Sequence, residues 1–237
     1  MSDFKATPPN ISNRILRELP AEEYERLSPH LEPVTLAVGD VLCYPQEPIT
    51  NLYFPNRGSV SIIATFADGG GVEVGVVGNE GVFGVNVVLG SVSIPHEAIV
   101  QLPGDGLRLP ADVILKEFKT CGRLQDLLLR YTQAFIIQIA QTAACHRSHP
   151  VGGRLARWLL MSHDRAISDE LLLTQEFIGV MLGTRRAGIT EAAGRLQSNG
   201  MIKYSRGHIT ILDRKKLEST SCECYQIVKN EFDRLLG

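Results

Sequence analysis

Leu173-Thr-Gln-Glu-Phe-Ile-Gly-Val-Met-Leu-Gly-Thr-Arg-Arg-Ala-Gly-Ile-Thr-Glu-Ala-Ala-Gly-Arg-Leu-Gln-Ser-Asn-Gly-Met-Ile-Lys-Tyr-Ser-Arg-Gly-His-Ile-Thr-Ile-Leu212 contains two helical patterns followed by two alternating ones. Thr174 suits the N-cap of a helix through Leu182, because its hydroxyl can accept a backbone N–H of the first turn. Gly183 supplies a sharp turn, since it tolerates positive φ at little cost. Thr184 is placed to cap a second helix over residues 185–198, with Ile189, Ala192, Ala193 and Leu196 on its inner face. Asn199-Gly200 closes that helix. Residues 201–205 and 208–212 alternate inward and outward around Arg206-Gly207, the pattern of a two-stranded hairpin. Together these features predict a winged helix-turn-helix that projects the start of its second helix into a major groove.

Arg185 and Arg186 stand at the positive end of that helix. The macrodipole disfavours cations there by a few tenths of a kcal/mol, and a purely structural helix more often begins with a carboxylate. Arginine at this place suits a guanine edge or a phosphate. The candidate DNA contacts are Thr174, Gln175, Thr184, Arg185, Arg186 and Thr190, with Lys203, Arg206 and His208 on the wing. The charge distribution agrees. The whole chain of 237 residues carries a formal charge of −2, yet residues 148–216 hold 11 Lys/Arg against 6 Asp/Glu, and residues 1–146 hold 10 against 16. A basic segment in an otherwise acidic chain points to a polyanionic partner.

Upstream, His149-Pro150 ends a long helical pattern, because a residue before proline avoids the helical region. That pattern covers residues 122–146. Leu124, Leu128, Tyr131, Phe135, Ile139, Thr142 and His146 recur at steps of three and four, close to a coiled-coil seam. Leu127, Leu129, Ile136 and Ile137 add a second apolar face. One face is expected on the N-terminal domain and the other on a second copy of the chain, with Leu124, Leu128, Tyr131, Phe135 and Ile139 as the dimerisation residues. A further helix follows over residues 151–166, burying Leu155, Trp158, Leu159 and Met161.

Residues 34–109 have a different texture. Short β-rich runs at 34–36, 41–44, 52–54, 59–64, 72–77, 98–102 and 106–109 alternate with Gly/Pro/Asn/Asp breakers, including Asn56-Arg57-Gly58 and Pro103-Gly104-Asp105. Many short strands with regular turns read as a barrel or sandwich. Before them, Ile11, Ile15, Leu16, Leu19, Leu27 and Leu31 have helical spacing, interrupted at Leu19-Pro20. A short helix is expected over 111–118 and another over 216–236. The expected fold class is α+β: an N-terminal β-roll of the cyclic-nucleotide-binding jelly-roll kind, a long dimerisation helix, and a C-terminal winged helix-turn-helix. The expected divisions are 1–110 with the N-terminal helices, 111–147, 148–213, and a helical extension over 214–237.

This architecture resembles the superfamily of the cyclic-AMP receptor protein and the fumarate–nitrate reduction regulator. The residues that carry the likeness are Gly39-Asp40-Val-Leu, Val72-Glu-Val-Gly, Glu80-Gly-Val-Phe-Gly84, Gly153-Arg-Leu-Ala-Arg-Trp-Leu-Leu160 and the winged helix. The resemblance implies a homodimeric transcription regulator acting on duplex DNA with two-fold-related half-sites, and RNA polymerase as a further partner. The family's guanine-reading arginine falls on Arg186. Its neighbouring glutamate falls on Ala187, and its second base-reading arginine on Glu191, so the expected operator departs from the family's best-known one.

The nucleotide cassette departs further. Phe83-Gly84 is followed by Val85 where the family has the ribose-binding glutamate. The phosphate-binding Arg-Ser pair falls near Pro95-His96, and the adenine-facing hydroxyls fall near Ile139 and Ala140. A cyclic phosphate needs a positive or donor-rich cradle. The expected effector pocket is therefore a degenerate one (Phe83, Gly84, Val85, Pro95, His96, Phe135, Ile139), apolar and not suited to cyclic AMP; it allows a hydrophobic small molecule, haem with His146 or His96 as ligand, or a filled core with effector-independent DNA binding, and a ligand-binding or scaffold protein whose winged helix contacts protein is the alternative reading.

Other classes are disfavoured. There is no His-Glu-x-x-His, Gly-x-Ser-x-Gly, P-loop or Rossmann fingerprint, so no enzyme is expected. No run of about 18 apolar residues is available to span a membrane. Met1 to Lys5 shows no secretion signal, and the five cysteines are odd in number, so a cytoplasmic, reducing location is expected. Cys222 and Cys224 have an unusual spacing for a metal knuckle and no histidine close in sequence, so no metal site is expected.

Overall fold

β-branched and aromatic residues between Gly/Pro breakers build an antiparallel sheet in the N-terminal half. The computed structural model describes residues 11–67 and 69–237, so the reading of Met1 to Lys5 lies outside the described residues. The strands are β1 (Glu32–Leu36), β2 (Val41–Cys43), β3 (Asn51–Thr65), β4 (Gly71–Val77) and β5 (Glu97–Pro110). Their order is β1-β5-β3-β4, with β2 also pairing β5. Two expected breakers lie inside strands. Asn56-Arg57-Gly58 belongs to β3 and Pro103-Gly104-Asp105 to β5, and they face each other where the register shifts repeatedly between Pro55 and Val60. Opposed bulges bend both strands and let each continue. Glycine is required at this crossing. A Cβ on Gly104 would overlap the Arg57 carbonyl oxygen, and one on Gly58 would lie 2.6 Å from the Leu102 carbonyl oxygen.

Helices α1 (Arg14–Arg17) and α2 (Ala21–Leu27) break at Leu19-Pro20, as their spacing predicts. After α3 (Ala111–Phe118) runs the long helix α4 (Arg123–Ser148). The expected dimer seam needs correction here. Leu124, Leu128 and Tyr131 are at most 1% exposed within one chain, packed in the core of the roll. Phe135 and Ile139 are half-buried against it. Leu124, Leu128 and Tyr131 are therefore consumed by the roll, whereas Phe135 and Ile139 keep part of their surface free. The large apolar residues left on the outer face are Leu129 and Ile136, 47% and 54% exposed.

The C-terminal half comprises α5 (Val151–His163), β6 (Glu170–Leu172), α6 (Gln175–Met181), α7 (Arg186–Ser198), β7 (Ile202–Ser205) and β8 (His208–Ile211). The wing has three strands, in the order β6-β8-β7, where the sequence suggested two. The expected single helix over 216–236 is two: α8 (Arg214–Thr220) and α9 (Cys224–Leu236). The chain becomes extended at Ser221, and α9 turns back onto α4. Val228, Phe232 and Leu236 of α9 complete the core of the roll. The Phe232 ring lies 6.3 Å from that of Tyr131.

The two halves meet through buried polar groups. Glu73 of β4 accepts hydrogen bonds from Trp158 Nε1 (3.0 Å) and Ser61 Oγ (2.6 Å). Gln101 Nε2 donates to Ser162 Oγ at 3.1 Å. Arg165 pairs with Glu80 at 2.6 Å, both nearly enclosed. Burial pushes the Glu73 carboxyl up to about 7, against the pull of its two hydrogen bonds and of Arg157 and Arg165. The folded chain thus holds a proton there that the unfolded chain releases near 4.5. This contribution to stability is complete below pH 4.5 and is lost as pH rises through 7. Glu73→Gln is expected to flatten the urea midpoint across that window and to exceed the parent above it, as denaturation series at several pH values will show. Gly104→Ala is expected to cost about 1–3 kcal/mol in the same assay through overpacking. Gly194→Ala, in open space within α7, is expected to stabilise by about 0.5–1 kcal/mol, since alanine loses less backbone freedom than glycine in a helix.

Candidate nucleic-acid interface and sensor cavity

Thr174 caps α6 as its sequence position suggests, its hydroxyl oxygen accepting the Phe177 N–H at 3.1 Å. Gly183 turns the chain with φ of +54°. The second helix starts one residue later than expected. Arg185, not Thr184, is the N-cap, with extended backbone and no side-chain capping bond. No acidic residue stands in the first turn of α7. The positive end of this helix is therefore left for an external anion, and a phosphate oxygen is the group such an end favours.

Arg185, Arg186 and Thr190 are exposed on this helix, while Thr184 is half-buried. Arg186 shares a concave surface of about 420 Å³ with Thr174, Gln175, Glu176, Tyr204, Arg206 and Gly207. Four sequence candidates (Thr174, Gln175, Arg186 and Arg206) thus converge on one face. Arg206 stands at the tip of the wing in a left-handed conformation, φ +50°. The Thr190 hydroxyl donates to Gln175 Oε1 at 2.7 Å, tying the two helices of the motif together. Lys203 is exposed on β7 outside this concavity. His208 is exposed but engaged, its Nδ1 2.7 Å from Glu170 Oε1. Glu191, at the position of the family's second arginine, pairs with Arg195 at 2.5 Å.

Three lining residues, Tyr204, Glu176 and the hairpin glycine Gly207, were missed from sequence. Tyr204 donates its hydroxyl to the Leu173 carbonyl at 3.0 Å. Burial raises its pKa, and the nearby Arg186 charge opposes that rise. Its inward position next to outward Lys203 in an alternating strand was the available signal. Glu176 gave none: it sits in the first turn of α6, where a carboxylate is ordinary. It places one negative charge at the corner of a basic surface.

Between the roll and α4 lies a cavity of about 260 Å³. Phe83, Gly84, Val85, His96, Phe135 and Ile139 line it, as the sequence suggested, with Val74 and Val77 of β4. Pro95 is the exception: it is exposed and outside the lining. No arginine or lysine lines the cavity among the described residues. It is slightly smaller than the roughly 300–1,000 Å³ of ordinary ligand sites. An uncharged, mainly apolar molecule suits these walls; a cyclic phosphate does not.

The expectation that no histidine lies near Cys222 and Cys224 is corrected by the turn between α8 and α9. It brings them to Cys145 and His149, with all four ligand atoms within 4.8 Å of one another. The contact spans 75 residues of sequence, beyond the reach of a spacing rule.

Comparison with known proteins agrees with this architecture. The cyclic nucleotide-binding domain matches residues 33–121, and the Crp-like helix-turn-helix domain matches residues 153–220. The global nitrogen regulator of Synechocystis sp. is 24% identical over 203 residues, covering 81% of this chain and 90% of that protein. A Crp/Fnr-family regulator from Eubacterium rectale superposes with a TM-score of 0.68 at 20% identity, covering 87% of this chain and 96% of that one. FixK2 from Bradyrhizobium japonicum gives 0.68 at 16% identity, over 81% and 98%. Sensor-type roll, long helix and DNA-reading module occur here in one chain and in the family's order, and the chain belongs to the Crp/Fnr family of DNA-binding transcription regulators.

Proposed function

We propose that this regulator acts as a cytoplasmic homodimer that reads two-fold-related half-sites in duplex DNA, with Arg186 as its principal base-reading side chain. The observation that carries the reading is the convergence of Arg186 and Arg206 on one exposed face beside the uncapped start of α7. Arg186 is placed to reach a guanine edge, whereas Arg185, Arg206 and Lys203 suit phosphate oxygens. Thr174, Gln175 and Thr190 position the motif, and Thr184 and His208 contribute at its margins. In this reading residues 1–110 sense, 111–147 connect and dimerise, 148–213 bind DNA, and 214–237 close the core of the roll. RNA polymerase is a further partner if the chain activates transcription, a role that the family resemblance suggests.

The dimer contact is assigned to the outer face of α4 around Leu129 and Ile136. These residues are apolar, exposed and two helical turns apart on one side. The signal is assigned to a small apolar effector in the cavity behind Phe83 and Phe135. Such an effector shifts the DNA-binding state only by its differential affinity for the two conformations. β4 supplies the mechanical route. Val74 and Val77 line the cavity, and Val72 touches the helix-turn-helix at Gly183, whose Cβ would lie 3.1 Å away.

Selection of genomic fragments with the purified chain, with and without cell extract, supplies the operator and reveals any effector. On that operator Arg186→Ala is expected to reduce discrimination by about 1–3 kcal/mol at one base pair per half-site. Equal weakening on all sequences would instead make Arg186 a phosphate contact. Ile136→Asp is expected to sediment as a monomer at concentrations where the parent is a dimer, and an unchanged dimer would place the interface elsewhere. Cyclic AMP is expected to alter neither the melting temperature nor the affinity for the operator.

A further inference from the structure

Beyond DNA recognition, the last turn of α4 and the loop leading into α9 carry a group of side chains that the regulator's other parts do not use. Cys145 and His149 are one helical turn apart, at i and i+4, where side chains share a face. Cys222 and Cys224 approach them from the bend between α8 and α9. Cys145 Sγ lies 3.4 Å from Cys222 Sγ, and Cys224 Sγ lies 3.4 Å from His149 Nδ1. Cys145 and Cys224 are fully buried. We propose that Cys145, His149, Cys222 and Cys224 form a closed, tetrahedral site for one zinc ion.

The dimensions suit one ion. With Zn–S bonds of about 2.3 Å and Zn–N bonds of about 2.0–2.1 Å, tetrahedral ligands sit about 3.4–3.8 Å apart. The four ligand atoms here already lie within 4.8 Å of one another. An iron–sulfur cluster distributes its ligands over several irons and needs a wider nest. Three thiolates and one imidazole with no position left for water is the donor set of a structural zinc centre.

The surroundings support the same assignment. His149 presents Nδ1 to the sulfurs, while its Nε2 lies 3.3 Å from the Glu223 carboxylate. A carboxylate behind a ligating histidine fixes its tautomer and orients its ring. Gln141 Nε2 lies 3.1 Å from Cys224 Sγ, as a donor to a thiolate should. Cys224 also opens α9, a 13-residue helix, so the positive end of that helix faces a sulfur.

Charge gives an independent argument. Arg154 and Arg157 are buried, 8% and 3% exposed, and each leaves Nε without a hydrogen-bond partner. Neither forms a salt bridge to a carboxylate among the described residues. Arg157 donates instead to the Thr142 hydroxyl at 2.8 Å, and Arg154 to the Leu182 carbonyl. Thr142, which holds Arg157, lies one helical turn before Cys145 on α4. Buried cations need a compensating anion. Zinc with three thiolates and a neutral imidazole carries one net negative charge, which adds to the compensation that the Glu73 carboxylate gives Arg157.

The position also gives the ion a structural task. It joins the end of α4 to the loop before α9, across the Pro150 bend where the DNA-binding half begins. A Cβ on Gly153 of α5 would lie 3.6 Å from the Cys222 backbone nitrogen, so the same loop rests on the first turn of that half. The ion would fix the C-terminal helix on the long helix and hold the bend between the sensing and DNA-reading halves.

The test uses the full-length chain purified under reducing conditions. Elemental analysis after dialysis is expected to find about one zinc per chain in the parent, and near none in Cys222→Ser and His149→Ala. Cys121→Ser, an exposed thiol outside the group, is expected to keep it. His149→Cys is expected to retain the ion as a four-thiolate site, which separates lost ligation from lost folding. The chelator-stripped, reduced parent titrated with cobalt(II) should develop thiolate charge-transfer and tetrahedral ligand-field bands that zinc abolishes. Zinc in the parent no higher than in Cys222→Ser, together with no cobalt bands, would overturn the proposal.

Discussion

β4 is the strand on which the rest of the molecule depends. It lies at the edge of its sheet, where a free backbone ladder would invite foreign strands. α4 covers that edge: Gln138 Oε1 accepts the Val76 N–H at 2.7 Å, and the Phe135 ring fits over Gly75 only because glycine lacks a side chain, since a Cβ there would lie 2.8 Å from the ring. The same seven residues place Glu73 against Trp158 of the DNA-binding half and Val72 against the turn of the helix-turn-helix. A shift of β4 cannot stay local, because packed interiors resist continuous deformation. β4 thus touches the cavity, the long helix and the turn of the helix-turn-helix.

Reading and sensing are built from different chemistry in this chain. The proposed DNA face offers fixed charges on exposed arginines and an uncapped helix start, which need no partner within the protein. The cavity is lined with valine, isoleucine and phenylalanine, with His96 and Asn86 as its polar members.

How much was legible in the sequence follows from the range of each interaction. The helix-turn-helix, its Thr174 cap and Gly183 turn, α3 and the break at Pro20 are all local, and the pattern of residues within a few positions determined them. The three-and-four row on α4 was equally plain, but periodicity states only that a face is buried and not by what; the roll and α9 claimed Leu124, Leu128 and Tyr131. Gly58 and Gly104 read as turns because the sequence does not reveal that two breakers will oppose each other across a ladder. The assembly of Cys145 and His149 with Cys222 and Cys224 depends on α9 folding back on α4, a contact between distant segments that no spacing rule contains.

The most direct measurement of the central claim is the affinity of the purified chain for its selected operator across a salt series, on the full two-fold site and on a single half-site. Two protomers presenting arginines to phosphates predict a log–log slope of about −0.9 per neutralised phosphate, amounting to several units, with a shallower slope and sharply weaker binding on the half-site. Binding that is independent of salt, or equal on whole and half operators, would contradict the account.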